Sequence, residues 1–367
     1  MAAVTNGALP NNAPQKKEEN GFIIFALLIV ATLVMCIAMS AAVGFTSTLK
    51  TTRSYRVRDN SFNIAEAGKE HALSLLRQDS VRLDTFNTTF RYLLREIPFC
   101  GGAYSVKCKI NAARDTLVLR SVGSIADQKS TVEAVCNRYF PAMKYFQAEI
   151  MSRGADTLSG NIKVDGNDWD SVSSVAPIGP GVFGIFTCDV FDPMTGGSSA
   201  VGGKGIPLPS SGAPAGTIMK SFGDTALFPG QPEIILGVDS GELDKYKESP
   251  PSSPAFTASG GIHYWDYCDQ TILSLSGGGI IICHNSGYSA VLRKIHGSFK
   301  GIIIADKIEK VNSGGDIRGP VFILAKSSTR SLFGNGNTNL RYCSQIVKVL
   351  MEQYSHAAYE IVAWREL

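Results

Sequence analysis

What the chain lacks narrows its chemistry first. Charged residues make up 18% of it and the formal net charge is only +3, where soluble domains usually carry about 25% charge. No run of Lys and Arg interleaves with aromatics, so nucleic acid is not an expected partner. The eight cysteines include no CxxC pair and none stands with a histidine at zinc-ligand spacing, which predicts no structural metal and no other cofactor. His71, His263, His284, His296 and His356 are scattered, and HExxH, GxSxG and phosphate-loop motifs are absent. No catalytic residue is assigned and no enzymatic activity is expected.

What is present points to a membrane segment and turn-rich β-structure. Glycine accounts for 37 of 367 residues, above the usual share of about 7%. The length suits two folded units and an anchor. Residues 22 to 45 carry no charge and reach roughly 36 Å as a helix, enough to cross a hydrocarbon core of about 30 Å. This run is longer than the apolar core of a secretory signal and has no break after it, so it reads as a retained transmembrane helix.

Residues 1 to 21 form a polar leader that reads as disordered. Lys50, Arg53, Arg56 and Arg58 follow the span, whereas Lys16 and Lys17 are offset by Glu18 and Glu19. That local count alone would hold the C-terminal part in the cytoplasm, although long folded domains translocate largely regardless of it. From Asp59 to Arg77, Phe62, Ala65, Ala72, Leu73 and Leu76 recur at helical spacing, so span and stalk read as one amphipathic continuation. No proline interrupts the chain between Phe22 and Ile97.

The leader, Gly21-Phe22, the apolar run and the segment 59 to 76 together resemble the N-terminal region of PilX-like minor pilins of type IV pilus systems. The most distinctive piece is Ala65-Glu66-Ala67-Gly68 following the stalk aromatic Phe62. The resemblance implies that a prepilin peptidase cuts between Gly21 and Phe22 and that the new N-terminus is methylated. It further implies a single-pass protein of the bacterial inner membrane with its C-terminal domain outside the cytoplasm. Its partners would be other pilin-like subunits, met through the N-terminal helix, and after assembly it would stand on a pilus at the cell surface. Major pilins usually carry a glutamate four residues after the first mature residue; Ala26 stands there in this chain. That departure is similar to the K-type minor pseudopilins of type II secretion and implies a minor, tip-type subunit. An uncut anchor is the alternative.

Residues 80 to 97 read as a second short helix stopped at Pro98, followed by strands at 103 to 110, 116 to 122 and 131 to 139. Stalk and antiparallel head together would occupy 46 to 140. Beyond Pro141, glycine-led β-branched runs recur, and Gly279, Gly301 and Gly319 are spaced by 22 and 18 residues. That spacing predicts a short right-handed β-helix over 141 to 342, with a flexible insertion at about 192 to 260; a β-sandwich is the alternative. Residues 343 to 367 read as a helix capping the solenoid end and a final strand. The fold class is therefore α+β: a long N-terminal helix with a small antiparallel sheet, then an all-β domain.

Apart from Cys36 in the span, seven cysteines remain, enough for three disulfides at most, and buried apolar packing is the other reading. His263, Tyr264, Trp265 and Asp266 are candidates for ligand binding, since adjacent aromatics and a carboxylate suit sugar rings, with aromatic core packing as the simpler reading. Asp306, Glu309, Asp316 and Arg318 could mimic the charged face of a polysaccharide-cleaving β-helix, but charged turns explain them more simply. The sequence thus favours a structural pilin-like subunit; a membrane-anchored adhesin that binds surface glycan is the alternative.

Overall fold

The structure is a computed structural model that describes residues 18–78, 86–154, 156–172, 175–189, 191–192, 197–220, 228–312, 314–326 and 331–367. The reading of the leader falls mostly on residues 1–17, outside that set.

Helix α1 (Glu18–Arg77) runs for 60 residues, about 90 Å, so span and stalk are one helix. Its two halves have opposite surroundings. The apolar side chains from Phe22 to Leu49 are all exposed. Beyond Asn60, Ser61, Ile64, Ala65, Gly68, Lys69, Ala72, Leu73 and Leu76 are buried, and their three- and four-residue spacing makes a single stripe. That stripe packs on an antiparallel sheet of β1 (Arg91–Phe99), β2 (Gly102–Ile110), β3 (Thr116–Ile125) and β4 (Gln128–Tyr139). Alternate residues Tyr104, Val106, Cys108, Ile110, Leu117, Leu119, Val132, Ala134 and Cys136 are buried, the period-two signature of a half-covered sheet.

Over its described part, 86 to 97, the helix expected over 80 to 97 is not formed. Residues 91–99 are instead edge strand β1, paired with β2 from Arg91↔Cys108 to Phe99↔Gly102; residues 79–85 lie outside the described set. The cause is pairing to a neighbour that local periodicity cannot register, and an edge strand tolerates Pro98 because one of its sides needs no ladder donor. Two register shifts, with Glu96 at φ 51°, blur the period-two pattern that would have revealed a strand.

Cys108 and Cys136 lie on β2 and β4 with β3 between them. Two strand spacings, about 9.6 Å, exceed the roughly 7 Å that a disulfide spans between Cα atoms. Burial pushes the Cys108 thiol up to about 12 and that of Cys136 up to about 11. Both are apolar fillers of the head core.

After β4 the chain winds into coils of parallel strands. The first coil is β5 (Ala148–Ser152), β6 (Asp156–Leu158) and β7 (Asn161–Asp165). A small antiparallel pair, β8 (Asp168–Trp169) with β9 (Pro177–Gly179), follows. The next coil is β10 (Phe183–Thr187), β11 (Phe191–Asp192) and β12 (Ala200–Gly202), and β13 (Ile218–Lys220) begins another. The chain then passes through α2 (Pro232–Leu236) and a 3-10 turn at Glu242–Tyr246. Three long bent strands come next: β14 (Ala255–Trp265), β15 (Leu273–Cys283) and β16 (Val291–Ala305). They are followed by β17 (Lys307–Asn312), β18 (Asp316–Arg318), β19 (Val321–Ile323), β20 (Ser331–Asn335) and β21 (Asn337–Arg341). Helix α3 (Ser344–Tyr354) and β22 (Ala358–Glu366) end the chain.

The stacking order differs from the chain order. β5 lies between β19 and β10, β6 between β20 and β11, and β7 between β21 and β12, all parallel. The coil that follows β21 along the axis is therefore the one that starts at β5. The chain enters in the middle, winds to one end, crosses through α2 to the far end at β14, and winds back to where it entered. This is the order of a circularly permuted solenoid. Parallel stacking requires only aligned neighbours, so it is indifferent to which coil comes first in sequence.

Entry and exit are thus adjacent, and β22 returns to pair antiparallel with β4 as the fifth strand of the head sheet. The solenoid is an insertion between two neighbouring strands of the head, a placement that close-lying domain ends permit. The final strand therefore belongs to the head. Likewise α3 does not cap the solenoid end. Val347, Leu350 and Met351 share a cluster with Ile280, Ile282, Ile302 and Ile304 on the outer flank, while Ile281 and Ile303 point into the solenoid core. Burial on both faces explains these unbroken isoleucine runs. Nor is 192 to 260 an excursion from one rung: it supplies β12, β13 and the start of β14, and its crossing segment buries Ile235, Leu236 and Leu243.

The glycine spacing marks one coil per interval. Gly279 and Gly301 are register partners. A Cβ at Gly279, Gly301 or Gly319 would fall 2.4, 1.9 or 2.3 Å from the carbonyl oxygen of Gly261, Gly279 or Gly301 respectively.

Candidate functional site

Among the described residues α1 is the one helix long and apolar enough to cross a membrane. Gly21 and Phe22 lie inside this helix, and Phe22 and Ala26 are exposed. Its hydroxyl groups are satisfied locally: Thr32, Ser40, Thr46 and Thr48 donate to the carbonyls of Leu28, Cys36, Ala42 and Gly44 at 2.7 to 3.0 Å. Such bonding suits an apolar medium that offers no water.

The stalk motif has a physical basis in the head. Ala65 and Gly68 face the sheet where the backbones approach closely. A Cβ on Gly68 would lie 2.5 Å from Ser121 Oγ, and one on Gly123 would lie 2.4 Å from the Ala65 nitrogen. Larger side chains would lift the helix off the strands. Ala67, one position round, is half-buried. Glu66 turns toward the last strand instead: it accepts from Trp364 Nε1 at 2.7 Å and from Lys69 Nζ at 2.6 Å. Phe62 meets the Trp364 ring edge to face at 6.0 Å.

The residues beside Trp364 extend this clamp. Arg58 pairs with Glu366 at 3.2 Å, on the same side of β22 as Trp364 because side chains alternate along a strand. Arg365 reaches the opposite side and pairs with Glu133, which also accepts from Arg120 Nε and Nη2 at 3.1 and 2.7 Å. Sequence reasoning singled out the helix side of this contact. Trp364 and Arg365 carry no local signal of their contacts, because Glu66 and Glu133 lie 298 and 232 residues away, and Arg120 meets Glu133 only through the pairing of β3 with β4.

Burial alone would raise the Glu133 carboxyl, but the two guanidinium groups hold it below its usual range. Its folded value being depressed, it stabilises the fold above the unfolded carboxyl value of about 4.3 and that contribution disappears as pH falls through the folded value. Glu133→Gln is therefore expected to cost roughly 1 to 2 kcal/mol at pH 7. The gap between the urea midpoints of variant and wild type should narrow as pH is lowered from 7 toward 3; an equal gap at both pH values would refute the clamp.

The two aromatic ligand-binding candidates are packed in the interior, where the simpler of the two readings puts them. Trp265 is 0% and Tyr264 4% exposed, so neither presents a face for sugar stacking. Trp265 Nε1 donates to Glu248 at 3.1 Å, and the same carboxylate oxygen meets His263 Nδ1 at 2.8 Å. Phe256 packs edge to face on both rings. Asp266 is exposed and pairs with Lys247 at 3.4 Å. This is aromatic packing at the first stacked coil. The second charged set is not assembled into one site either. Asp306 is fully buried and binds His284 Nδ1 and the backbone amides of Asn285 and Ala290. Asp316 pairs with Arg318 and Arg341, and Glu309 is exposed.

No family model matches this chain, and no curated protein matches it. It is similar to the crystal structure of the competence-associated pilin ComZ from Thermus thermophilus at 11% identity, with 85% of this chain and 97% of that one covered and a TM-score of 0.27. A likeness that low establishes neither fold nor function.

Proposed function

We propose that this chain is a membrane-anchored, pilin-like structural subunit of minor type, which carries its solenoid outside the cytoplasm. The observation behind the proposal is the division of α1. Its first half is apolar, uncharged from Phe22 to Leu49 and exposed, whereas its second half builds the core of the head. An exposed apolar helix of that length requires lipid, or the matching helices of other subunits, around it. Glu66 fastens the final strand to the stalk, Glu133 fastens it to the neighbouring head strands, and the permuted solenoid is tethered to the head at both ends. Such a body is suited to being carried and displayed rather than to catalysis. Ala26, in place of an acidic residue, favours a rare or terminal position, since an N-terminal ammonium buried among apolar helices without a carboxylate is costly. The glycan-adhesin alternative loses its proposed platform with the burial of Trp265.

Mass spectrometry of the mature N-terminus tests this function. A chain beginning at methylated Phe22 is expected, which would make prepilin peptidase a processing partner. An intact Met1, or a cut near Gly44, would overturn the pilin-like assignment while leaving the fold untouched.

A further inference from the structure

Asp239, Glu242 and His356 each direct one ligand atom into a common space, and those atoms lie within 4.8 Å of one another. The two acids bracket the turn between α2 and the following 3-10 helix, and His356 lies on the link from α3 to β22. Main-chain contacts hold the three in place. Glu242 N–H donates to the Asp239 carbonyl at 3.0 Å, and His356 N–H donates to the Gly237 carbonyl at 3.1 Å. Asp239 N–H donates to Glu242 Oε2 at 3.3 Å. That same Oε2 lies 2.7 Å from His356 Nε2. Lys245 engages the other oxygen, Oε1, at 3.2 Å, so one carboxylate oxygen is kept oriented toward the imidazole.

We propose that these three residues form a binding site for a divalent transition metal of the zinc class. One imidazole nitrogen and two carboxylate oxygens match zinc or cobalt, with water completing a tetrahedron. Calcium would require six to eight oxygens, which the site does not supply. The metal takes the place between His356 Nε2 and Glu242 Oε2, and any proton held there is released. It joins two segments 114 residues apart, the outer cover of the solenoid and the strand that returns to the head. The consequence is a metal-dependent stiffening of the joint between the two bodies, independent of whether the chain is a pilin.

The test uses the full chain in detergent, stripped of metal by a chelator. Cobalt titration should give one tetrahedral d–d absorption band per chain, free of thiolate charge transfer and displaced by zinc. Zinc should also raise the melting temperature. His356→Ala and, as a variant at an exposed position, Asp239→Asn should each weaken binding by about tenfold or more and abolish the thermal shift, with unchanged circular dichroism. Absence of a band at millimolar cobalt, a band with thiolate charge transfer, or an undiminished band in Asp239→Asn would each overturn the site.

Discussion

Gly301→Ala should destabilise the protein by about 3 kcal/mol and lower the solenoid's melting temperature by roughly 6 to 12 °C. The added methyl would stand 1.9 Å from the Gly279 carbonyl oxygen and 2.8 Å from the Phe299 ring. Both neighbours are constrained, since Gly279 is a ladder partner and Phe299 is fully buried. Relief would require separating two coils, which breaks parallel hydrogen bonds on either side. Gly44→Ala provides the control: a Cβ there meets nothing within 4 Å, and alanine raises helix propensity by up to about 1 kcal/mol. Calorimetry in detergent distinguishes them. A Gly301→Ala protein that melts with the wild type would show that the coils are not stacked in this register.

Trp265→Ala should cost roughly 3 to 5 kcal/mol. The ring is fully buried within the cluster that includes Leu273, Leu275 and Ile281, so its removal opens a cavity inside the first coils. Trp265→Phe, which keeps most of the volume and loses only the bond to Glu248, should cost about 1 to 3 kcal/mol. Urea midpoints followed by circular dichroism give both values. If Trp265→Ala kept wild-type stability, the ring would have to be at the surface, and its sugar-binding role would reopen.

The span, the stalk and three head strands were legible because each depends on local spacing: absence of charge for the first, period 3.6 for the second, period two for the rest. The glycine intervals were legible for a related reason, since a solenoid repeats its close contact once per coil. Residues 91–97 were misread because their apolar positions satisfy a helix and a bulged strand equally, and only β2 chooses between them. His263 to Asp266 left a surface patch and core packing both open because adjacent aromatics have the same composition inside a coil as on its rim.

Residue composition and order by themselves determined that the chain carries an uncharged apolar helix of membrane-spanning length, continuous with a helix that has one small-residue face, and a domain repeating at glycines. Tertiary structure alone decided which coil follows which, that β22 returns to the head, and that Glu66 meets Trp364 and His356 meets Glu242. The physical reason is separation. Periodicity reports contacts within a few residues, whereas parallel stacking and side-chain pairing across more than a hundred residues leave no local signal. Even the long helix follows this division: its continuity is written in the sequence, but the strand clamped against its stalk is known only from the fold.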